Sequence, residues 1–373
     1  MTMKCTCFDD LSEEDKEKYN FYKNEDVHHY GPQIDFQSKA GVMYFLDELY
    51  VKNYTINDDL TVDVEGDVRL PDHGVKNMLS DNPYSICPES LPIQFGIVKG
   101  DFDCGDLSTL EHGMPDYVGG NFVCDSADVV SLKGMPWHVG KDITIRRTAI
   151  TNLEGLPNYI AGNLEIDWND SLTSLNGSPK TITGEFTCTR NASLKTLEGG
   201  PERVGEGVYI RPAWQSAGGE VNRLCAWKNA GGEITKCCGL ISLEGAPEYV
   251  GGNFDCSDNE LNSLNGAPKH VEGDFVCVSC SLETLNGLGE VKGKLNIQCN
   301  PGLSLSEIAH IKAARGITLD SSDYTDEEID KAVKIINLHE NLSQTIKQKD
   351  DVPMARAAST TQVSATQTGK RKI

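Results

Sequence analysis

The sequence predicts an α/β-type repeat solenoid that is mostly β. We expect a curved parallel β-sheet, coils of about 21 residues, a non-helical convex side and helical caps at both ends. The main observation is a series of prolines that recur every 21 or 22 residues: Pro115, Pro136, Pro157, Pro179 and Pro201. Each proline lies in the same short phrase, and a second phrase follows it. Self-similarity at a fixed period of this length is typical of solenoids and related arrays.

The two phrases predict the structure of one coil. The first reads Asn152-Leu-Glu-Gly-Leu-Pro157 in one copy, and the second reads Val250-Gly-Gly-Asn-Phe-Asp-Cys256 in another. Apolar and polar residues alternate through the end of the second phrase, which predicts a short strand with one buried face. The rest of the coil is too short and too rich in Gly and Pro for a helix. It should return along the convex side in an extended, polyproline-like path.

The strand is followed by a polar turn residue. An Asn, Cys or Thr precedes the next Leu or Ile by two or three positions, as in Phe254-x-Cys256-x-x-Asn259-x-Leu261. This is the L-x-L-x-x-N/C-x-L frame of a leucine-rich repeat. The buried amide of an Asn at this place should bond to backbone groups of neighbouring coils.

On these phrases, residues 98–299 resemble the short-period bacterial leucine-rich repeats. They are most similar to the variant found in hypothetical proteins of large tailed bacteriophages, and the lead-in over residues 53–68 is similar too. The resemblance implies a leucine-rich-repeat-like fold and a viral origin. It carries no catalytic motif to transfer.

The flanks differ from the repeat. Residues 1–60 form an acidic segment with a predicted capping helix near Gln37–Val51, and residues 61–97 contain a cap strand and a connector. After the solenoid at 98–299, residues 300–348 should form two helices. The first lies near Leu305–Arg315, and the second begins at the capping box Thr325-Asp-Glu-Glu328. The second helix has an apolar stripe, which either packs on the end of the solenoid as a cap or binds a helix of a partner protein. The stripe consists of Ile329, Val333, Ile336 and Leu342. Residues 349–373 read as disordered.

Charge and hydropathy limit the function classes. The 373 residues carry a net charge of −22, with −11 in residues 1–97, −11 in 98–299 and zero in 300–373. This negative charge argues against nonspecific binding to the phosphate backbone of nucleic acids, so we do not expect nucleic acid as a partner. No apolar run of membrane-spanning length occurs, and the first residues lack a secretory signal. We therefore expect a cytoplasmic protein, in the host cytoplasm if viral, with a virion location as the alternative.

Candidate chemistry is sparse. No nucleophile elbow, P-loop or dinucleotide fingerprint occurs, so we expect no enzyme, no catalytic residue and no cofactor. The cysteines should be reduced thiols, and five of them should form a buried column: Cys104, Cys124, Cys188, Cys256 and Cys277. Cys280 takes the turn position, so Cys277-x-x-Cys280 reads as structural. One metal hypothesis stays open for Cys5, Cys7, His28 and His29, although their spacing matches no known site.

The remaining candidate is a binding surface. The exposed strand positions should line the concave side and make its first half acidic. The residues that we select there for contact with a protein are Asp101, Asp103, Asp125, Asp142, Glu165, Asp167, Trp168 and Tyr209. An irregular insertion at about 211–231 breaks the period and holds Trp214 and Trp227. It is either an interaction loop or a drifted repeat whose tryptophans fill its own core, and the acidic face is either a docking groove or a solvated surface.

We favour a non-catalytic scaffold that binds a host or viral protein. Two alternatives are a virion-associated structural protein, attached by the C-terminal helices, and an acidic decoy of a host nucleic-acid enzyme, which rests on the charge alone.

Overall fold

The computed structural model describes residues 4–24, 34–70, 90–125, 128–211, 239–315, 319–321 and 323–350. These residues form a mostly β, parallel solenoid of about eight turns with coils of about 21 residues, as the sequence predicts. Each complete coil contributes one strand to a long sheet and one to a shorter sheet. The strands pair in parallel across coils, except for an antiparallel hairpin of the first two strands.

The long sheet has eleven strands, and neighbouring strands come from successive coils. The strands are β3 (Val68–Arg69), β5 (Phe102–Asp103), β7 (Phe122–Asp125), β9 (Ile143–Arg146), β11 (Leu164–Asp167), β13 (Phe186–Thr189), β15 (Val208–Arg211), β17 (Phe254–Asp255), β19 (Phe275–Val276), β21 (Leu295–Asn296) and β22 (Leu319–Asp320). The predicted strand phrases therefore fall on this sheet.

The return path also pairs, which the sequence does not predict. It forms two short sheets, of five and six strands. Their strands are β1 (Tyr54–Ile56), β2 (Val62–Val64), β4 (Phe95–Val98), β6 (Tyr117–Val118), β8 (His138–Val139), β10 (Tyr159–Ile160), β12 (Thr181–Ile182), β14 (Arg203–Val204), β16 (Tyr249–Val250), β18 (His270–Val271) and β20 (Glu290–Val291). Extended segments stacked one coil apart place backbone donors opposite acceptors, and pairing satisfies both. The path is extended and non-helical, as predicted.

Tight backbone contact at the corner between the two strands of a coil explains its glycines. A Cβ on Gly119 would lie 2.4 Å from the carbonyl oxygen of Lys99, and one on Gly251 would lie 1.9 Å from that of Gly205. A side chain at either position would therefore have to displace the backbone of the preceding coil. The same corner of the coil after Gly251 holds Glu272, so close coil stacking favours glycine there without requiring it.

The solenoid core consists of side-chain columns that run through the coils. One column pairs Phe122, Ile143, Leu164, Phe186, Val208, Phe254, Phe275 and Leu295 in register, and all of them are fully buried. The predicted cysteine column is also buried, with Cys104, Cys124, Cys188, Cys256 and Cys277 each at most 2% exposed. The strand alternation inferred from the phrases is therefore confirmed.

The predicted polar turn is confirmed as well. Asn169 donates from Nδ2 to the Ile145 carbonyl one coil back, at 3.1 Å, and its Oδ1 accepts from the Thr148 backbone N–H at 3.0 Å. Asn191 repeats the pattern by donating to the Ile166 carbonyl and accepting from the Asn169 N–H. Each buried amide therefore ties a coil to the one before it.

Helices lie at both ends of the described chain. The N-terminal pair is α1 (Glu13–Tyr22), which the sequence pattern does not predict, and α2 (Lys39–Glu48), which matches the helix predicted near residues 37–51. Val42, Phe45 and Leu46 of α2 are fully buried in the same core as the first coils. The C-terminal pair is α3 (Leu305–Arg315) and α4 (Asp326–Asp350). None of the helices in the described part of the chain is long and apolar enough to cross a membrane.

The lead-in and the C-terminal stripe differ in detail from the predictions. Val64 and Val68 belong to a short-sheet strand and a long-sheet strand, so the lead-in forms part of a coil rather than a single cap strand. On α4, Thr325 and Glu328 form the predicted capping box. Ile329 is buried, but Leu342 is 54% exposed, because α4 extends beyond the helix against which its first turns pack.

Burial should make the column thiols unreactive. It raises the pKa of Cys188 to about 12 and that of Cys104 well above the usual value for a thiol. Because the thiolate is the reactive form, we expect N-ethylmaleimide to modify the exposed Cys7 at least about 100-fold faster than either column thiol in the folded protein. Mass spectrometry of peptides measures these modification rates, and equal rates would contradict the assignment of Cys104 and Cys188 to the buried column.

Cys299 is disulfide-bonded, so the expectation of a reduced thiol is wrong at that position.

Candidate binding surface

The outward face of the long sheet carries two columns of polar side chains. In the first column, Thr144, Glu165, Thr187 and Tyr209 stand in register. In the second, the order is Asp125, Arg146, Asp167, Thr189 and Arg211. The predicted contact residues Asp125, Glu165, Asp167 and Tyr209 are therefore brought onto one face, which we call the long-sheet face.

The carboxylates on this face form ion pairs with arginines. Asp103 contacts Arg69 at 3.1 Å, Glu165 contacts Arg146 at 2.5 Å, and Asp255 contacts Arg211. The Arg147 guanidinium meets the Asp125 carboxylate through Nε at 2.6 Å and Nη2 at 2.5 Å, a bidentate geometry. The prediction of an acidic face is corrected accordingly. The surface contains an array of cross-coil ion pairs, in which an arginine of a neighbouring coil contacts each of these four acids.

Two of the predicted contact residues have a structural role. Asp101 and Asp142 lie just before their strands, and each accepts a hydrogen bond from the backbone of the next coil. The Asn121 N–H donates to Asp101 Oδ1 at 2.7 Å, and the Asn163 N–H donates to Asp142 Oδ1 at 2.8 Å. Asn121 and Asn163 continue the same ladder. The acids at 101 and 142 therefore hold coils together at a corner.

A row of strained residues borders the long-sheet face where its strands end. Arg147, Trp168 and Arg190 follow the last strand residue in three successive coils, and their φ angles are 49°, 57° and 55°. Asp258 and Ser279 occupy the same position in later coils with the same conformation. We call this set the turn row. A side chain in the left-handed region costs about 1–2 kcal/mol, and Gly or Asn would avoid most of it.

Trp168 is the centre of the turn row. It is 41% exposed, and the Arg190 guanidinium carbon lies 5.1 Å from the centroid of its ring. Arg190 also binds Asp167, through Nε at 2.7 Å and Nη2 at 2.5 Å, and the Thr189 hydroxyl donates to the same carboxylate at 2.6 Å. Asp167 is only 2% exposed. The buried carboxylate fixes the arginine, and the arginine fixes the exposed indole.

Other predicted site residues are not brought together. Trp214, Trp227, His28 and His29 lie outside the described residues. Cys5 is buried and pairs with Ile56 in an isolated bridge, whereas the exposed Cys7 lies within hydrogen-bonding distance of Asp10. Across the described ranges, no group of three or more His, Cys, Asp or Glu side chains is placed to hold a metal ion.

The fold and this surface together define a solenoid repeat protein with a charged, partly aromatic face. Comparison with protein families, curated proteins and solved structures finds no match to the chain. The function is therefore argued from the surface itself.

Asp258 gives a pH-dependent prediction. Burial raises the pKa of this carboxyl, and the coulombic effect of Arg211 opposes the rise only in part. Because the folded-state pKa lies above the unfolded one, ionised Asp258 costs stability at high pH, and the cost vanishes as the pH falls below the unfolded pKa. Asn carries no charge and tolerates the left-handed conformation, so Asp258→Asn removes the cost of the ionised carboxylate without adding backbone strain. We therefore expect the variant to raise the urea midpoint at pH 7 but not at pH 3. An equal gain at both pH values would assign the effect to the backbone instead.

Proposed function

We propose that the protein is a non-catalytic scaffold that binds another protein through the turn row and the adjoining long-sheet face. The observation that carries the proposal is the exposed indole of Trp168. The Arg190 guanidinium stacks on its ring and is itself held by an ion pair with the buried Asp167. Trp and Arg are the residue types that most often dominate binding energy at protein interfaces. Because the arginine is fixed by its ion pair and stacked on the indole, both side chains lose little conformational entropy when a partner binds.

The fold does not require the Trp168 side chain at this turn. Trp168 and its two arginine neighbours accept strain that a glycine at the same place would avoid. Their backbone N–H groups still donate to the next coil, as from Trp168 to the Thr189 carbonyl at 3.3 Å, so the turn needs no particular side chain. Asp258 and Ser279 share this conformation, so the strain belongs to the repeat, and Trp168 is distinguished by placing an exposed indole on a turn that does not require one.

The ion pairs suggest the chemistry of the partner. Each exposed arginine in the array keeps donors beyond those used by its own acid, and each acid keeps acceptors. A partner of mixed charge fits this surface better than a uniformly basic one. The same pairing weakens the case for an acidic decoy. The phage-like repeat phrases support a host or viral protein as the partner, within an infected cell.

Trp168→Gly tests the proposal with little effect on folding. The variant relieves backbone strain, loses the contact with Arg190 and adds chain entropy to the unfolded state, so stability should change by no more than about 1 kcal/mol. Proteins captured from bacterial lysate by the full chain should fall at least about tenfold with this variant, as quantified by mass spectrometry.

Ser279→Gly is the matched control, because it makes the same change of backbone at an equivalent turn that has neither an indole nor an arginine. It should capture the same proteins as the unmodified chain. Equal capture by Trp168→Gly and Ser279→Gly would overturn the assignment of binding to Trp168. We avoid Arg190→Ala as a test, because it would leave the buried Asp167 carboxylate without its cation and destabilise the fold.

A further inference from the structure

A second surface lies on the short sheets and has different chemistry. Its outward side chains are Ile97, Tyr117, Trp137, His138 and Tyr159, which we call the short-sheet patch. Ile97 stands in register with Tyr117, and Tyr117 with His138. Trp137 precedes His138, and Tyr159 begins the next short strand. Ile97 is 45% exposed, Trp137 is 69% exposed and Tyr159 is 53% exposed. None of these residues belongs to the turn row or to the long-sheet face.

The rings of the patch are held rigidly. Tyr117 and His138 are stacked, with centroids 4.7 Å apart and planes 9° apart. The indole of Trp137 contacts both, at 6.3 Å and 61° from Tyr117 and at 5.6 Å and 53° from His138. An indole fixed in this way loses little side-chain freedom on binding, although most of its surface remains open. Contiguous exposed apolar groups are a feature of sites that bind ligands or other proteins.

Charge distinguishes the patch from the rest of the short sheets. In the later coils, the corresponding surface is covered by cross-coil ion pairs, such as Lys180 with Glu202 at 3.0 Å and Lys292 with Glu272 at 2.6 Å. Arg203 also lies over the Tyr249 ring there, at 3.8 Å. The aromatic coils have one such pair, Lys99 with Glu65 at 2.7 Å, beside the strand of Ile97. None of the five patch residues takes part in an ion pair with another described residue, so an uncharged ligand suits the patch itself.

Polar residues occupy the coils before and after that of Trp137. Asp116, in the preceding coil, is aligned with Trp137 by the register that pairs Tyr117 with His138. Asn158 follows Trp137 by 21 residues, which is the long-sheet offset between these two coils, although the short sheet is interrupted between β8 and β10. Both are exposed, and within the described ranges neither side chain has a hydrogen-bond or ion-pair partner. An indole flanked by a carboxylate and an amide offers an apolar platform with hydroxyl-binding groups at its edges.

We propose that the short-sheet patch binds a neutral saccharide chain. The ring faces of pyranoses are apolar enough to pack on an indole, while their hydroxyls donate to Asp116 and exchange hydrogen bonds with Asn158. Successive coils stand about 4.8 Å apart, which is close to the advance per ring of an extended saccharide chain. A proline-rich segment also favours aromatic surfaces, but proline has no N–H to donate to the Asp116 carboxylate. The aromatic, carboxylate and amide groups together therefore favour a polyhydroxylated ligand.

The test is native affinity electrophoresis of the full chain in gels that contain hydroxyethylcellulose, laminarin, glycogen or galactomannan. These polysaccharides are uncharged, so the net charge of the protein cannot contribute to retardation. We expect at least one of them to retard the chain and Trp137→Ala to weaken that interaction at least about tenfold, while Trp137→Tyr restores part of it. Asp116→Ala should weaken binding as well, because it removes the flanking acceptor.

Controls separate this proposal from folding and from the proposed function. Trp137 is largely exposed, so Trp137→Ala should keep the urea midpoint of the unmodified chain, and Trp168→Gly should keep the retardation. Retardation by none of the four polysaccharides would overturn the proposal, as would equal retardation of Trp137→Ala. Binding of soluble poly-L-proline that depends on Trp137, without saccharide binding, would instead assign the patch to a peptide and would also overturn it.

Discussion

Replacing Asn259 with Ala should lower the free energy of unfolding by about 3–5 kcal/mol, although the change removes only a few atoms. The Asn259 Nδ2 group donates to the carbonyls of Ile210 at 3.0 Å and Cys256 at 2.9 Å, and Oδ1 accepts from the Leu240 N–H at 2.8 Å. Asn259 is only 4% exposed, so water cannot replace these bonds without opening the turn. Several buried backbone groups would be left unsatisfied together, each at a cost of about 1–3 kcal/mol when isolated.

Urea denaturation followed by circular dichroism measures the loss, and two further variants separate its causes. Asn152→Ala makes the same change where the side chain is only half-buried and bonds locally to the Glu154 N–H, so it should cost at most about 0.5 kcal/mol. Asn259→Cys should cost less than Asn259→Ala, because Cys280 already serves at this position and its thiol donates to the Cys256 carbonyl. A loss for Asn259→Ala as small as that for Asn152→Ala would show that the amide bonds do not stabilise the turn.

The repeat was predictable because its signals are local and recur. The alternation in Phe254-Asp255-Cys256 requires only that one face of a strand be buried, and the Asn in the turn has a donor and an acceptor that must be satisfied somewhere. Eight or so copies of one phrase make a chance pattern negligible. The second strand of each coil was missed because two residues are too few to show periodicity. Its pairing depends on how the coils stack, which a single phrase does not encode.

The candidate site was only partly predictable for a related reason. Asp125, Asp167 and Trp168 were recognised as exposed positions, but their partners Arg147 and Arg190 lie 22 and 23 residues further along the chain. An ion pair between coils becomes visible only when the offset between strands is known to one residue. The short-sheet patch could have been predicted from the sequence. In its coils, aromatic residues occur at the two positions between the repeat proline and the next aliphatic residue, which vary from coil to coil. Pro136-Trp-His-Val139 is one example.

Phe254→Ala should cost about 3–5 kcal/mol, because it opens a cavity inside the column where successive coils stack. Phe254 is fully buried, and its ring centroid lies 5.1 Å from that of Phe275 in the next coil. On the other side it is in register with Val208, a smaller residue that cannot expand to fill the space. The surrounding backbone is fixed by corner glycines and the Asn turn, so the coils cannot collapse into the cavity.

Phe254→Leu is the matched variant, because the same column holds leucine at Leu164 and Leu295, and it should cost about 1 kcal/mol. The location of the damage matters as much as its size. In a solenoid each coil contacts only its neighbours, so hydrogen–deuterium exchange should accelerate in β15, β17 and β19 but not in β7 and β9. Acceleration at equal rates along the whole solenoid would instead show that the coils unfold as one cooperative unit. The turn row around Trp168 would then depend on packing in coils that it does not touch.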